Sequence, residues 1–134
     1  MKRVVLDTSV LVGGSFDLDG ECELAVPCLA FAELSYGIGR AGITPRQKAE
    51  RSKRLSELRR RFPVGLPFDD DAAASYGIIT ELVEHSGRQA RGRAIDLMIA
   101  AVAHANNAAL ATLNPKDVAP LETIIEIIVP EVSP

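Results

Sequence analysis

Asp7, Glu33 and Asp96 are carboxylates in places where a carboxylate is costly. Asp7 is the only acid between Met1 and Phe16, Glu33 the only one between Leu24 and Ala49, and Asp96 the only one between His85 and Lys116. Each sits in an apolar element, and an Asp or Glu is almost never fully buried alone, because removing its charge from water is expensive. A helix cap or a buried arginine would satisfy any single one. The three together reverse that balance and read as parts of one site. Asp117 adds a fourth acid, just beyond the apolar run Ala109–Ala111 and the turn residues Asn114 and Pro115. Taken alone, Asp117 also reads as an ordinary loop acid.

Clustered carboxylates repel and hold protons at neutral pH unless a cation sits among them. Hard oxygen donors select Mg2+ or Mn2+, with waters and phosphate oxygens completing the shell. Such a centre activates water and stabilises charge on the phosphorus and the leaving oxygen during phosphodiester hydrolysis. Asp7, Glu33, Asp96 and Asp117 are therefore the candidate catalytic and metal-binding residues, and no protein nucleophile is required. Thr8 and Ser9 directly follow Asp7; they could cap a helix or orient a water in the site. Asn114 could stabilise its turn or hold such a water. His85 and His104 show no metal-ligand spacing, and the chain has neither a Gly-rich phosphate loop nor a nucleophile elbow. Both histidines read as helix-end residues. Asp17, Asp19, Glu21 and Glu23 superficially suggest a calcium loop but lack its ligand spacing, and read as a solvated loop.

The elements that must carry these acids alternate. Residues 3–6 are a short β-branched run that ends at Asp7, and similar runs occur at 24–26, 64–66, 109–111 and 124–129. Helical patterns lie between them: 28–38 after Pro27, 45–62 opened by Thr44 as N-cap and Pro45, and a segment begun by Asp69, Asp70 and Asp71 and closed by Gly87. The segment from about Arg93 to Asn106 is apolar nearly all round, which predicts a buried helix. Alternation of this kind predicts an α/β domain around a mostly parallel sheet, whose ligands bind beyond the C-terminal strand ends. Asp7 lies at such an end.

The 134 residues, 47% of them apolar, suit one domain over 1–134 that buries roughly two-thirds of its unfolded surface. No signal peptide and no membrane span are expected, and the chain reads as cytoplasmic. Cys22 and Cys28 are the only cysteines, and five residues between them suit neither a zinc knuckle nor a disulfide framework. The net charge of -3 excludes binding nucleic acid through overall basicity. Basic residues are nevertheless concentrated, in the 46–61 stretch and in Arg88, Arg91 and Arg93. The first group reads equally as a solvated helix face or as a phosphate contact; the second runs directly into Asp96.

Four stretches in this order resemble the PIN-domain ribonucleases, and specifically the VapC toxins of VapBC toxin-antitoxin modules. They are Val5-Leu6-Asp7-Thr8-Ser9-Val10-Leu11, Ala32-Glu33-Leu34-Ser35-Tyr36-Gly37-Ile38, Arg93-Ala94-Ile95-Asp96-Leu97-Met98-Ile99-Ala100-Ala101 and Thr112-Leu113-Asn114-Pro115-Lys116-Asp117-Val118. The resemblance implies a PIN-like three-layer sandwich, with a central parallel sheet of about five strands flanked by helices. It places the metal ligands on Asp7, Glu33, Asp96 and Asp117, supported by Thr8 or Ser9 and by Asn114. It further implies a Mg2+-dependent endoribonuclease acting on structured RNA such as transfer RNA. The arginines near the acids, Arg88, Arg91 and Arg93, or the basic 46–61 helix, would hold the RNA phosphates. The implied partner is a VapB-type antitoxin, with homodimers and hetero-oligomers as assemblies. Val118 stands where the family pattern usually has an aromatic. The competing readings are a PIN-like domain that binds RNA or protein without catalysis, a DNA nuclease of related architecture, and a phospho-accepting receiver-type signalling domain.

Overall fold

Val4, Val5 and Leu6 are buried almost without remainder, because the strand that carries them, β1 (Lys2–Leu6), has a parallel partner on each side. The computed structural model describes residues 1–13, 15–18 and 20–133. In chain order the elements are β1, α1 (Thr8–Leu11), β2 (Phe16–Asp17), β3 (Cys22–Ala25), α2 (Cys28–Gly39), α3 (Pro45–Arg61), α4 (Asp70–His85), α5 (Ala94–Ala105), β4 (Ala109–Ala111), a 3-10 helix (Pro115–Leu121), β5 (Ile127–Ile128) and β6 (Glu131–Val132). The central sheet is parallel throughout, in the order β3-β1-β4-β5. A strand buried on both faces reads as a continuous apolar run, which is why β1 and β4 were legible without alternation.

The sheet has four strands where about five were expected. Residues 64–66 contribute a single parallel bridge, Pro27 to Leu66, with Leu66 N–H donating to the Val26 carbonyl and Cys28 N–H to the Leu66 carbonyl. Pro63 and Pro67 flank this stretch, and a proline has no N–H to extend a ladder. Strand β5 is also shorter than the 124–129 run. Ile124 and Ile125 both donate to the Leu121 carbonyl, so the turn of the 3-10 helix continues into residues that the apolar pattern assigns to a strand. A two-stranded antiparallel ladder, β2 with β6, joins Phe16 to Val132 and Asp17 to Glu131. This places Asp17 in a strand, and Glu23 lies in β3, 3.7 Å from Arg3, instead of in a loop. Asp19 lies outside the described residues.

The helices begin where their caps predict. Thr44 and Gln47 form a reciprocal capping box at α3. Asp69 accepts from the Ala72 amide at α4, with Asp70 and Asp71 in the first turn near the positive helix end. Gly87, at φ 86°, takes the left-handed conformation that closes α4. α5 buries Leu97, Ile99, Ala100, Ala101, Val102 and Ala103. His104, in its last turn, meets the buried Ser75 hydroxyl of α4 at 2.7 Å, and His85 ends α4 exposed. Three arginines of α3 make contacts within the chain. Arg59 stacks 3.7 Å above the Phe31 ring, Arg54 donates to the Leu11 carbonyl, and Arg51 donates to that of Gly37. Among the described residues no helix is long and apolar enough to cross a membrane.

Candidate functional site

The ends of β1 and β4 are neighbours in the sheet, and this adjacency builds the site. Asp7 follows β1, and its amide donates to the Ala111 carbonyl at the end of β4. Its position is the N-cap of α1, yet its side chain caps nothing. Instead Asp7 Oδ2 accepts two hydrogen bonds of 2.8 Å, from Ser9 Oγ and from Thr112 Oγ1. Those hydroxyls are themselves held: Ser9 Oγ accepts from the Leu113 amide and Thr112 Oγ1 from the Asn114 amide. A carboxylate that is 8% exposed is thereby oriented by two fixed donors, both on Oδ2, leaving Oδ1 without a protein donor among the described residues. Spacing alone does not single out Thr112. Its hydroxyl directly after an all-apolar strand was the available signal.

Asp96 lies in the first turn of α5, where the helix dipole favours an anion. Other forces outweigh that benefit. Burial, followed by the charges of Asp7, Glu33 and Asp117, raises the Asp96 pKa above the ordinary carboxylate value, and only Arg93 opposes them. Asp7, Asp96, Asn114 and Asp117 line one narrow cavity with Thr112 and Val118. Val118 is buried beneath it.

Glu33 reaches the site from α2 but opens on a different space. Thr8 Oγ1 donates to its Oε1 at 2.6 Å, and both residues line a groove of about 1010 Å3 between α1, α2, α3 and the start of α5. The structure thus gathers Asp7, Asp96 and Asp117 in one cavity and sets Glu33 beside it, close enough for its charge to act on Asp96. Neither Thr8 nor Ser9 is an N-cap; each hydroxyl holds a carboxylate. Asn114 makes no side-chain cap bond to the 3-10 helix that follows it, while its carbonyl accepts from the Asp117 amide.

The three nearby arginines differ. Arg93 pairs with Asp117, Nη1 to Oδ1 at 2.7 Å, and that hydrogen bond and charge raise the arginine's own pKa. Arg88 donates to the Lys116 carbonyl, bracing the loop that presents Asp117. Arg91 is exposed. Arg93 is therefore engaged with Asp117 while its side chain stays partly exposed.

Among the described residues, no three His, Cys, Asp or Glu side chains form a ready-made metal-ligating group. The donor chemistry still suits a hydrated cation. Magnesium keeps several waters and takes one or two carboxylates directly, and here three carboxylates that repel one another share a cavity with Thr112 and Asn114. Asp7, Asp96 and Asp117 are the residues that could hold such an ion, with Glu33 beside them.

The family description "PIN domain" matches residues 4–117. Among solved structures, VapBC-5 from Mycobacterium tuberculosis, a member of the VapBC family of toxin-antitoxin systems, is similar at 32% identity and a TM-score of 0.80, covering 96% of this chain and 98% of that one. FitAcB from Neisseria gonorrhoeae (TM-score 0.72, covering 94% and 96%) and VapBC-1 from nontypeable Haemophilus influenzae (TM-score 0.70, covering 93% and 96%), each 21% identical, share the fold. A comparison with curated proteins returns no match. The parallel sheet, the acids at its strand ends and these likenesses agree: the chain belongs to the PIN-domain family, among the VapC toxins of the VapBC systems.

Proposed function

We propose that this chain is a metal-dependent endoribonuclease, the toxin of a toxin-antitoxin pair, which hydrolyses phosphodiester bonds in structured RNA, with transfer RNA a candidate substrate. The observation that carries this reading is the shared cavity of Asp7, Asp96 and Asp117, with Asp7 oriented by Ser9 and Thr112. A Mg2+ or Mn2+ ion bound there would supply Lewis-acid activation of water and neutralise charge at the phosphate. The chain's own residues prepare that chemistry. Ser9 and Thr112 fix the Asp7 carboxylate before substrate arrives, so little reorganisation is needed during reaction. Thr8 fixes Glu33 in the same way. Arg93 pairs with Asp117 and lessens the repulsion that Asp96 feels.

VapBC-5 is named as a member of a toxin-antitoxin family, and on that likeness we assign this chain a VapB-type antitoxin partner, in hetero-oligomers built on a toxin dimer. Arg91, exposed five residues before Asp96, is assigned to RNA phosphates. A receiver-type role is set aside, because Asp69 caps α4 and the acids beside it form the first turn of that helix. The test is to compare the wild type with Asp7→Asn and Asp96→Asn for new RNA 5′ ends after pulsed expression and for cleavage in vitro. Full activity in either variant would remove the proposal.

A further inference from the structure

The groove beside Glu33 carries features that the hydrolytic cavity does not use. Tyr36 stands three residues beyond Glu33 on α2, 68% exposed, and lines the same groove. Residues at that spacing are neighbours on a helix surface. The other large exposed apolar side chains among the described residues are aliphatic. Phe31 is buried, and Phe16, Phe62, Phe68 and Tyr76 pack against the core. A ring left in water forgoes the burial that the other aromatics obtain, and with the exposed Val12 and Ile95 in the same groove it forms a contact surface.

Three arginines share that groove with it: Arg40, Arg51 and Arg54. Two are tethered, Arg51 Nη1 to the Gly37 carbonyl at 2.7 Å and Arg54 Nε to the Leu11 carbonyl at 3.1 Å. A guanidinium has five N–H groups, so each tether fixes the cation while leaving donors for a ligand. Glu50, an acid of the groove, is 3.2 Å from Arg46. A flat apolar ring among fixed cations complements flat bases on an anionic backbone. An acidic peptide would also satisfy the arginines. It has no need to run onward to the carboxylates, whereas an RNA cut there must leave along an adjoining surface.

We propose that Tyr36 stacks on an unpaired base of the RNA substrate and that Arg40 and Arg51 hold the flanking phosphates, so the groove selects a single-stranded segment beside the scissile bond. This rests on the endoribonuclease reading above and adds the form of RNA taken. Stacking of this kind is tolerant of sequence, because every base has a π face.

The chain has no tryptophan, so Tyr36→Trp installs a single fluorescent reporter. Binding is read in the Asp96→Asn background, where the RNA stays intact, with a single-stranded RNA of about twelve nucleotides and its duplex as probes. Emission of the Tyr36→Trp protein is expected to quench with the single strand and far less with the duplex. Tyr36→Ala should weaken single-strand binding about tenfold and Tyr36→Phe less than about twofold, with unchanged circular dichroism. Equal binding by Tyr36→Ala, or unquenched emission with RNA, overturns the proposal; quenching by an acidic peptide alone also overturns it, assigning the groove to a protein. A protein that shows quenching but whose Asp96-containing form leaves RNA uncut in Mg2+ would retain the stacking and lose the hydrolysis. One that cuts RNA equally well with Tyr36→Ala would lose only the stacking.

Discussion

Thr112 Oγ1 donates a 2.8 Å hydrogen bond to Asp7 Oδ2 across 105 residues of chain. The two residues close the C-terminal ends of adjacent parallel strands, and Thr112 is 2% exposed. Thr112→Val keeps the shape and removes the donor. It should cost about 1 kcal/mol of stability and slow RNA cleavage about tenfold, with Thr112→Ser close to wild type. Urea melts and initial cleavage rates check both.

Asp96 should make the metal-free protein less stable as pH rises. Its folded pKa lies above its unfolded value, so its favourable contribution is complete below the unfolded pKa and is lost as pH rises through the folded one. Asp96→Asn removes the titration. The variant and wild type should melt at similar temperatures in acid, and the variant should melt higher at neutral pH while cutting no RNA. Thermal melts from about pH 3.5 to 8, in chelator, test this; a lower neutral melting temperature for Asp96→Asn would contradict the mutual repulsion inferred for the site.

Divalent cations should reverse that penalty. With Mg2+ at about 100 times its Kd, the wild type should gain about 2.7 kcal/mol, seen as a raised melting temperature. Asp7→Asn should abolish most of the gain, and chelation should stop cleavage reversibly. An identical Mg2+ response in Asp7→Asn would place the ion elsewhere.

Arg93 and Arg91 should separate into different roles. Arg93→Gln unpairs Asp117 and removes the one charge that lowers the Asp96 pKa, so the acidic limb of the pH–rate profile should move to higher pH. Arg91→Ala should leave that limb in place, weaken RNA binding and reduce the salt dependence by about one counterion. Salt titrations of binding and pH–rate profiles distinguish the two.

Gly65 should resist substitution. A Cβ there would stand 2.9 Å from Cys28 Sγ, 3.2 Å from the Phe31 ring and 3.3 Å from Cys28 Cα, and the last of these is backbone. Gly65→Ala should therefore destabilise by about 1–3 kcal/mol through overpacking at the α2 start. Denaturant titration measures it, and Gly77→Ala, which meets nothing within 4 Å, is the control.

Much of this molecule was legible in the chain. The isolation of Asp7, Glu33 and Asp96 in apolar surroundings marked them before any fold was known, since desolvation makes a lone buried acid conspicuous. Thr44 with Pro45, Asp69 and Gly87 marked helix limits because capping is chemistry between residues a few positions apart. The 64–66 run misled, because an apolar pattern reports burial and is blind to the ladder that Pro63 and Pro67 interrupt. The β2–β6 ladder was invisible for a related reason: pairs of two-residue strands carry no periodicity. What only the tertiary structure decided is which groups meet. The order β3-β1-β4-β5 sets Thr112 against Asp7, Arg93 reaches Asp117, and Glu33 turns toward a separate groove with Thr8. Residue type and spacing report the energetic cost of each acid where it lies, whereas its partners come from strand order, which no local spacing encodes.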